Sequence, residues 1–387
     1  IYSRWMCNSQ GLSKFSTSWD YVPGLVAKSV IKTWEQYKDS TWSEAFWTKV
    51  KTYGDANGNT SSYSTLDNIN PGKMYYELYR GAKLKGLADS STYKTKAGNT
   101  YTAFKNYGYV IGSSLPGTGA YWHKSSYTNQ MWLDGLYMGA ALSAEYLGNF
   151  GSSLSESDRN AAWAKIALQF DTIFKYTWDS DKKLNYHAWS AEPLNNASDY
   201  WADPVTGRSA EFWGRGMGWF FAALVDVLEY MPANHPARPR LINYTNLVAD
   251  GLKDRQDAAS GCWFQLLQYG NTLKGNPCNL YNYLESSASS MFTYSYLKGI
   301  RLGILDQSTY KTMAVKAYKG LITRFVVEEP NGKIKLIQSC ESAGLSNNRK
   351  GDASYYLCGS DVIINNDTEG KVLGPFIMAS LEFEKMQ

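Results

Sequence analysis

The stretch from Tyr121 to Gly139 reads YWHKSSYTNQMWLDGLYMG, and it decides which fold the chain is expected to adopt. Apolar residues recur around Asp134 at the spacing of a helix that is buried over most of its surface. They are Met131, Trp132, Leu136, Met138 and Ala140. An ionised carboxylate in such a helix is costly unless it is paired or has a chemical role. Asp134 is therefore the first candidate for a functional acid.

The residues before this helix place Asp134 near one of its ends. Thr128 or Asn129 is the expected N-cap, so the carboxylate should lie in the first turns. His123 and Lys124 should lie in the loop that leads to the same end. A proton donor, an imidazole and a fixed cation would then share one opening.

Helical periodicity continues through most of the chain and predicts about eleven helices. They cover about 20–34, 42–50, 70–86, 93–107, 128–148, 155–176, 211–231, 239–252, 285–302, 308–326 and 371–385. The longest irregular stretches are 177–208, 261–283 and 334–364, and within the second of these 263–267 could form a strand. Long loops recur at about every second connection. This pattern is typical of helical hairpins whose loops gather on one face.

Six helical hairpins closed into a ring are the economical way to bury so many amphipathic helices. Alternate helices would line the inside, and the long loops would surround an opening at one end. We therefore predict an all-α, (α/α)6 toroid. The chain would be a single domain over 1–387, with 1–19 as an N-terminal extension.

Composition supports a folded protein and narrows its partners. Hydrophobic residues make up 44% of the chain and aromatic residues 15%, which is ample for a core. Rings with a polar edge also suit the apolar faces and hydroxyl rims of sugars. The net charge is +4 with scattered Lys and Arg, so no nucleic-acid stripe is expected. No apolar run approaches the roughly 18 residues of a membrane span.

Five cysteines leave two local disulfides open. Cys262 could pair with Cys278, and Cys340 with Cys358, because each pair is close in sequence; neither has zinc-finger spacing. The chain begins at Ile1, which fits a removed signal peptide or a trimmed chain. A secreted or periplasmic protein is therefore expected, although a cytoplasmic one remains open.

One segment resembles a calcium loop only in part. Asp55, Asn57 and Asn59 alternate as calcium ligands do, but Thr60 and Leu66 stand where such a loop needs Gly and Glu. The sequence therefore predicts no bound metal.

The segment Trp213 to Trp219, WGRGMGW, opens a predicted helix. Its glycine spacing differs from G-x-G-x-x-G and no strand precedes it, so it does not predict a dinucleotide site. Arg215 could form a structural ion pair beside close-packed helices. It could equally grip a ligand carboxylate with its planar fork.

Other polar residues have both structural and functional readings. His123 and His187 lie in loops near the predicted opening, whereas a lone loop histidine is usually just exposed; His235 is expected at the surface. Glu285 follows Asn282 by three positions, which favours a reciprocal capping box. Asp67 could likewise cap the helix that follows it.

Five motifs in order carry a resemblance to a known family. They are LDNINPG (66–72), WHK (122–124), QMWLDGLYM (130–138), WGRGMGW (213–219) and YLESSA (283–288). Together they resemble the unsaturated rhamnogalacturonyl hydrolases, glycoside hydrolase family 105. The resemblance runs from about Asp20 to the C-terminus, and the motifs of Asp134 and Arg215 are its most specific parts.

The resemblance implies a reaction and a set of roles. Such enzymes remove a 4,5-unsaturated galacturonic acid from the non-reducing end of pectin-lyase products, with no metal or cofactor. An Asp protonates C4 of the enol ether, water adds at C5, and the neighbouring sugar is expelled. By motif, Asp134 is the general acid and base and Asp67 is the second carboxylate. Residues that would bind the substrate are His123, Lys124, His187, Arg215, Trp213, Trp219 and Trp132.

Proton donation near neutral pH requires a raised pKa at Asp134. Burial and Asp67 should raise that pKa, whereas the helix N-terminus, Lys124 and Arg215 should lower it. We expect the raising effects to prevail in the substrate complex, where the substrate carboxylate neutralises the cations.

Three alternatives remain open from the sequence. An unsaturated glucuronyl hydrolase acting on glycosaminoglycan fragments would share the fold and the chemistry, but sulfated substrates favour a basic cluster that the sequence lacks. A non-catalytic glycan-binding toroid would not need Asp134. A sugar epimerase would need a pair of histidines on inner helices.

Overall fold

The computed structural model describes residues 2–11, 15, 17–58, 62–195 and 197–386. Its helices are α1 (Tyr2–Met6), α2 (Tyr21–Gln36), α3 (Glu44–Ala56), α4 (Met74–Leu84), α5 (Ser90–Lys105), α6 (Leu133–Gly135), α7 (Ala141–Phe150), α8 (Glu156–Thr177), α9 (Gly214–Tyr230), α10 (Arg238–Lys253), α11 (Ser286–Arg301), α12 (Gln307–Phe325), α13 (Ala353–Cys358) and α14 (Gly370–Glu384). Two π-helical segments continue α1 and α6, namely Cys7–Gly11 and Leu136–Ala140. Short 3-10 turns occupy Thr41–Ser43, Leu66–Asn68, Asn70–Lys73, Gly151–Ser153 and Ala197–Asp199.

Six inner helical units close into a ring. Helices α2, α4, α6 with α7, α9, α11 and α14 pack on one another in that order, and α14 returns to α2. Helices α3, α5, α8, α10 and α12 each pack outside the inner helix that precedes them, and α1 packs against α14. The predicted all-α six-hairpin toroid is therefore confirmed. Part of the expected N-terminal extension, α1, is helical and lies on this ring.

Sequence-local signals set many of the helix starts. Asp20 accepts a hydrogen bond from the Val22 N–H and caps α2, and Ser155 does the same for Asp158 at the start of α8. Glu156 and Asp158 in the first turn of α8 also interact favourably with the positive end of the helix dipole. The inner helices α9 and α11 are buried on nearly every side. The sequence of α9 is apolar, as such burial predicts, whereas α11 buries five serines, Ser286, Ser287, Ser289, Ser290 and Ser295.

Short antiparallel ribbons decorate the loops. They pair β1 (Gln130–Trp132) with β4 (Ala188–Ser190), β2 (Trp178–Asp179) with β3 (Leu184–Asn185), β5 (Val326–Glu328) with β6 (Ile334–Leu336), and β7 (Ser339–Cys340) with β8 (Ile364–Asn365). The predicted strand at 263–267 is wrong. That segment makes only isolated bridges, Phe264 with Leu284 and Leu266 with Trp213.

The predicted N-cap of the Asp134 helix is also wrong. Asn129 has a left-handed backbone, φ 57°, and turns the chain into β1. Pairing with β4 keeps Gln130–Trp132 extended, so α6 begins only at Leu133. Asp134 still lies in the first turn, as predicted.

Glu285 caps α11 directly and does not form a box with Asn282. Its side chain accepts hydrogen bonds from the Ser287 and Ala288 N–H groups. Asn282 instead accepts from the Leu266 N–H and donates to Leu266 and Gly270 carbonyls. Asn282 therefore stabilises the loop that precedes α11, and Glu285 caps the start of the helix.

The disulfide joins partners that are distant in sequence. Cys278 bonds Cys358 with a Cα–Cα distance of 5.5 Å, and Cys262 and Cys340 are buried free thiols. Both predicted pairs are therefore wrong, because the fold brings the 275–283 loop against the end of α13. No helix in the described ranges is long and apolar enough to cross a membrane. Asn59 and Thr60, considered above as calcium-loop positions, lie outside the described residues.

Candidate active site

Asp134 and His187 meet at the opening of the ring. The β1–β4 ribbon aligns the two segments, and the Leu133 N–H donates to the His187 carbonyl at 3.0 Å. The imidazole Nε2 then lies 3.1 Å from Asp134 Oδ2. The side chain of Asp134 keeps 14% of its surface exposed, whereas that of His187 has none. The carboxylate can therefore reach a ligand while the imidazole supports it from behind.

A tyrosine from a different part of the chain contacts the far side of His187. Tyr356, on α13, places its hydroxyl 2.6 Å from His187 Nδ1. The ring of Tyr356 is fully buried and stacks on Trp213 with centroids 5.7 Å apart. Asp134, His187 and Tyr356 thus form a continuous chain of hydrogen bonds.

Asp67 forms a second polar cluster beside the first. It lies in the 3-10 turn Leu66–Asn68, and its Oδ1 is 3.4 Å from His123 Nε2 while its Oδ2 is 3.1 Å from Lys124 Nζ. The Leu66 N–H donates to the His123 carbonyl, which fixes the two segments side by side. The Asp67 side chain therefore contacts the His123 imidazole and the Lys124 ammonium, and Thr65 caps the 3-10 turn by accepting from the Asp67 N–H.

The electrostatic environment of Asp134 differs from the expected one. Burial raises the pKa of its carboxyl, but His187 and then His123 outweigh burial, so the pKa lies below its usual range. From the sequence, Asp67 is expected to raise this pKa and Lys124 and Arg215 to lower it. In the structure His187, 3.1 Å from the carboxylate, has the largest lowering effect and His123 adds to it. The expectation that the pKa rises in the substrate complex stays a prediction.

The two groups beside Asp67 are affected in opposite directions. Burial lowers the pKa of His123 more than Asp67 raises it. Burial also opposes the charge of Lys124, but Asp67 outweighs that effect and the pKa of Lys124 is raised. With Asp67 as its partner, Lys124 is a fixed positive charge at the opening, and 35% of its side chain is exposed.

Arg215 is held in a buried cluster at the start of α9. Its Nη1 donates to the Cys340 carbonyl at 2.5 Å and to Ser287 Oγ at 3.3 Å. Glu285 accepts from Ser287, from the Ala288 N–H and from the Cys340 N–H. Both readings of Arg215 retain support, since Glu285 supplies a structural counter-charge while the guanidinium also influences Tyr21 at the opening.

The three tryptophans expected to bind sugar are all buried. Trp213 and Trp219 are each 2% exposed and Trp132 is 5% exposed. Trp213 packs under Tyr356 and His187, and Trp219 packs against Tyr137 with the edge of Tyr21 above it. The expected stacking surface is therefore not formed by these rings, which instead support residues nearer the opening.

Tyr21 and Tyr356 are site residues that sequence reasoning missed. Tyr21 follows the Asp20 cap and lies within electrostatic range of Asp67, Arg215 and Asp134. A usable signal existed for Tyr21, because the first residue of an inner helix lies at the opening. Tyr356 carried no comparable signal, since its contact with His187 spans two distant loops.

Two of the larger cavities lie at opposite ends of the inner helices. One, of about 500 Å³, is lined by the C-terminal halves of these helices and contains the paired charges Lys28–Glu145 and Lys298–Asp226. Asp134 lies in the first turn of its helix, at the other end of the ring from this cavity. The other, about 450 Å³, is an open groove beside Tyr21 that is lined by Asp20, Asp367 and Glu369 among others.

Comparison with known proteins yields one family. The model of Glycosyl Hydrolase Family 88 matches residues 3–387. A Clostridium acetobutylicum ATCC 824 glycoside hydrolase from family 105 is 34% identical, with 99% of each chain covered and a TM-score of 0.85. An Alteromonas sp. (strain LOR) unsaturated 3S-rhamnoglycuronyl hydrolase is 30% identical over 127 residues, 33% of this chain and 28% of that protein.

A further solved structure shares only the fold. The unsaturated glucuronyl hydrolase of Bacillus sp. GL1 is 13% identical, with 100% of this chain and 96% of that chain covered and a TM-score of 0.63. At that identity the similarity extends to the ring of helices and not to the details of the opening.

Proposed function

This chain belongs to Glycosyl Hydrolase Family 88 and has the predicted relationship to family 105, and from that premise we propose that it removes a 4,5-unsaturated uronic acid from the non-reducing end of an oligosaccharide. The observation that carries the proposal is the Asp134–His187 pair at the opening of the ring, with Asp67, His123 and Lys124 beside it. A glycoside hydrolase that acts on a uronic acid needs a proton donor close to a positive charge that binds the substrate carboxylate.

Asp134 performs the proton transfers in this mechanism. Its carboxylic acid protonates C4 of the enol ether, which leaves an oxocarbenium ion at C5. Water adds at C5 as the Asp134 carboxylate takes its proton. The C5–O5 bond of the resulting hemiketal opens to a ketone, and the hemiacetal left at C1 releases the neighbouring sugar as an alcohol. One water is consumed and the double bond is lost, and His187 keeps Asp134 in place throughout.

The substrate uronate neutralises the cations of the opening in the complex. Lys124, with 35% of its side chain exposed, is a positive group at the opening, and Arg215 is a buried cation within electrostatic range of Tyr21. His123 is influenced by both Asp67 and Asp134. Binding an anion there removes part of the charge that would otherwise favour an ionised Asp134. A raised pKa of Asp134 in the complex, which acid catalysis requires, is part of this proposal.

Galacturonate linked to a neutral rhamnose is the proposed substrate, and glycosaminoglycan fragments are the alternative. Asp20, Asp367 and Glu369 line the groove beside the opening, where the next sugar would lie, and Lys371 neutralises Glu369 at 2.5 Å, which leaves the argument to Asp20 and Asp367. A sulfated sugar would be disfavoured by carboxylates at that position, whereas a neutral sugar would not. The name of the Alteromonas relative refers to rhamnose and a glycuronyl group, which supports a rhamnose next to the uronate but does not favour galacturonate or an unsulfated sugar.

The test is loss of the ultraviolet absorbance of the unsaturated uronate. Wild type and Asp134→Asn are compared on lyase-generated digests of rhamnogalacturonan and of a sulfated glycosaminoglycan. Asp134→Asn should lower the rate by about 10²- to 10⁴-fold, because it removes the general acid. Asp171 is a partly exposed carboxylate paired with Arg240 on the outside of the ring, and Asp171→Asn should retain the wild-type rate.

Each other outcome has a definite meaning. Decay at the wild-type rate in Asp134→Asn would exclude Asp134 as the acid. Faster decay on the glycosaminoglycan digest would favour the alternative substrate. Saturable binding without decay on either digest would favour a non-catalytic glycan-binding protein. Since the proposed steps need only proton transfers, the activity should persist in EDTA.

Export from the cytoplasm is also proposed. The Cys278–Cys358 disulfide supports it, because such bonds form and persist mainly in oxidising compartments. Fractionation of the native host would test the proposal, which requires the protein to be found outside the cytoplasm.

A further inference from the structure

We propose that Tyr356 is a positioning residue for catalysis, whose hydroxyl keeps His187 hydrogen-bonded to Asp134 through both protonation states of that acid. The inference rests on the proposed function, in which Asp134 alternates between acid and base. It is drawn from the geometry of three side chains: Asp134 Oδ2 to His187 Nε2 at 3.1 Å, and His187 Nδ1 to the Tyr356 hydroxyl at 2.6 Å.

The imidazole has no access to water. His187 is fully buried, so both ring nitrogens must find partners within the protein. A neutral imidazole carries one N–H, and its other nitrogen accepts. The group that faces Nδ1 therefore decides which tautomer His187 adopts, and a donor at Nδ1 places the N–H on Nε2, where it faces Asp134.

A hydroxyl suits this position because it can donate to Nδ1 in both states of the acid. When Asp134 is ionised, His187 Nε2–H donates to Asp134 Oδ2 and the Tyr356 O–H donates to Nδ1. When Asp134 is protonated, Oδ1 carries the proton toward the substrate, and Oδ2 still accepts from Nε2–H. His187 therefore keeps one tautomer while Asp134 gives up and regains its proton.

The hydroxyl of Tyr356 is suited to this task. Burial, together with Tyr355 and Asp134, holds the pKa of its phenol well above the ordinary value, so it stays neutral. Its position is fixed from several sides. The ring stacks on Trp213, Gln265 donates to its carbonyl at 3.3 Å, and α13 ends at the Cys358 disulfide.

Tyr356→Phe is the direct test, since it removes one oxygen and keeps the ring. In this variant Nδ1 of His187 loses its donor, so nothing buried holds the N–H on Nε2, and the hydrogen bond from Nε2–H to the Asp134 carboxylate weakens. A hydrogen bond to the ionised carboxylate lowers its pKa, so weakening this bond should raise the pKa of Asp134. The alkaline limb of the pH–rate profile should therefore move up by about one pH unit.

Other groups near the pair remain in place in this variant. The titratable groups that face Asp134, His187 and Tyr356 from the surrounding elements are His123, Asp67, Lys124, Tyr21, Arg215, Glu211 and Cys340. None of them is altered, so a shift of the limb reports the hydroxyl. KM should change less than about threefold, because Tyr356 is fully buried behind His187 and does not reach the substrate.

Tyr355→Phe is the matched control. Tyr355 lies on the same helix, and its hydroxyl contacts the Gly344 N–H at 2.8 Å and Asp361 at 3.1 Å, away from His187. It should leave the alkaline limb where the wild type has it. Equal limbs in all three proteins would overturn the inference, as would the same shift in both variants, which would indicate a general loosening of α13.

A second readout does not depend on substrate. The chain has only 3 histidines, so ¹⁵N-labelled histidine gives a simple NMR spectrum. The Nδ1 resonance of His187 should move in Tyr356→Phe and stay in Tyr355→Phe. If neither digest is consumed, the proposed function fails while this measurement still decides the Tyr356–His187 bond. Should Tyr356→Phe not fold, Tyr356→Met also lacks the hydroxyl and must show the same changes; an unmoved resonance would overturn the inference.

Discussion

At the scale of single residues, the buried carboxyl of Glu211 makes the stability of the protein depend on pH. Its side chain accepts hydrogen bonds from Gln268 at 2.9 Å and from the Tyr269 hydroxyl at 3.2 Å, behind His187. Burial is the main influence on its carboxyl and raises the pKa to about 7, with Asp352 acting in the same direction. The folded protein therefore binds a proton at Glu211 that the unfolded chain releases near pH 4.

This difference makes the stability of the protein depend on pH. Because the folded pKa of Glu211 is raised, its contribution is fully present below about pH 4 and is lost as pH rises through 7. Glu211→Gln cannot titrate, so its unfolding free energy should gain about 2 to 3 kcal/mol relative to wild type between pH 4 and pH 8. Denaturant titrations at both pH values measure the gain, and a constant difference would contradict it.

The candidate site was predictable from sequence only where a residue type was rare in its surroundings. Asp134 was identifiable because a lone carboxylate sat in an apolar helix, and its neighbour His187 because histidines are so few. Tyr356 was not identifiable, since nothing local marks a tyrosine that meets an imidazole across the fold. Arg215 stayed ambiguous because one guanidinium can serve a structural cluster and a ligand alike.

At the scale of elements, the π-helical segment Leu136–Ala140 is where the helix of Asp134 meets its neighbour. Gly139 lies in this segment, and a Cβ placed there would stand 2.5 Å from Cε2 of Phe104 on α5. Only a residue without a side chain allows that approach. The glycine therefore sets how closely the inner helix of the site packs on the outer helix.

Gly139→Ala should destabilise the protein by about 1 to 3 kcal/mol, because the added methyl group overpacks a filled contact. Thermal or denaturant unfolding measures the loss, and Phe104→Leu in the same chain should recover part of it. Gly98→Ala is the control. A Cβ at Gly98, also within a helix, meets nothing nearer than 3.9 Å, so that variant should gain up to about 1 kcal/mol. Equal effects would refute the packing argument.

Element predictions succeeded where local signals and periodicity agree. The starts of α2 and α8 follow their Asp and Ser caps, and all eleven expected helices are present within the described residues. Predictions failed where a distant partner decides the backbone. The extended Gln130–Trp132 segment pairs with β4, and Glu285, expected to form a box with Asn282, also accepts from the distant Cys340 N–H.

At the scale of the whole molecule, buried ion pairs join inner helices away from the opening. Lys28 on α2 reaches Glu77 on α4 at 2.7 Å and Glu145 on α7 at 2.6 Å, and all three side chains are at most 6% exposed. One lysine thus connects three of the six inner units. Desolvation makes each of these charges dependent on the others.

Lys28→Met should cost about 3 to 5 kcal/mol of unfolding free energy, because it leaves the buried Glu145 carboxylate without its cation. Adding Glu145→Gln to that variant should restore much of the loss. Lys38→Met, which removes an exposed pair with Asp39, should cost under about 1 kcal/mol. Denaturant midpoints measure all three, and a small effect at Lys28 would show that the ring does not depend on this connection.

The fold class was predictable from sequence because six hairpins are the compact solution for so many amphipathic helices. The cysteine pairing was not, because proximity in sequence says little once loops fold back over a ring. The ion pairs of the interior were also invisible, since lysines and glutamates at helix spacing usually indicate a solvated face.

Because of the Cys278–Cys358 disulfide, the support of the candidate site depends on the redox conditions under which the chain folds. Helix α13 carries Tyr356 two positions before Cys358. It is covalently linked to the loop around Cys278 only after this bond has formed. Chains matured under reducing conditions, or handled in dithiothreitol, would keep Asp134 and His187 but hold that helix through non-covalent contacts alone. Two preparations of one polypeptide would thus differ in mass by only two hydrogens and yet differ in how firmly the Asp134–His187 pair is supported.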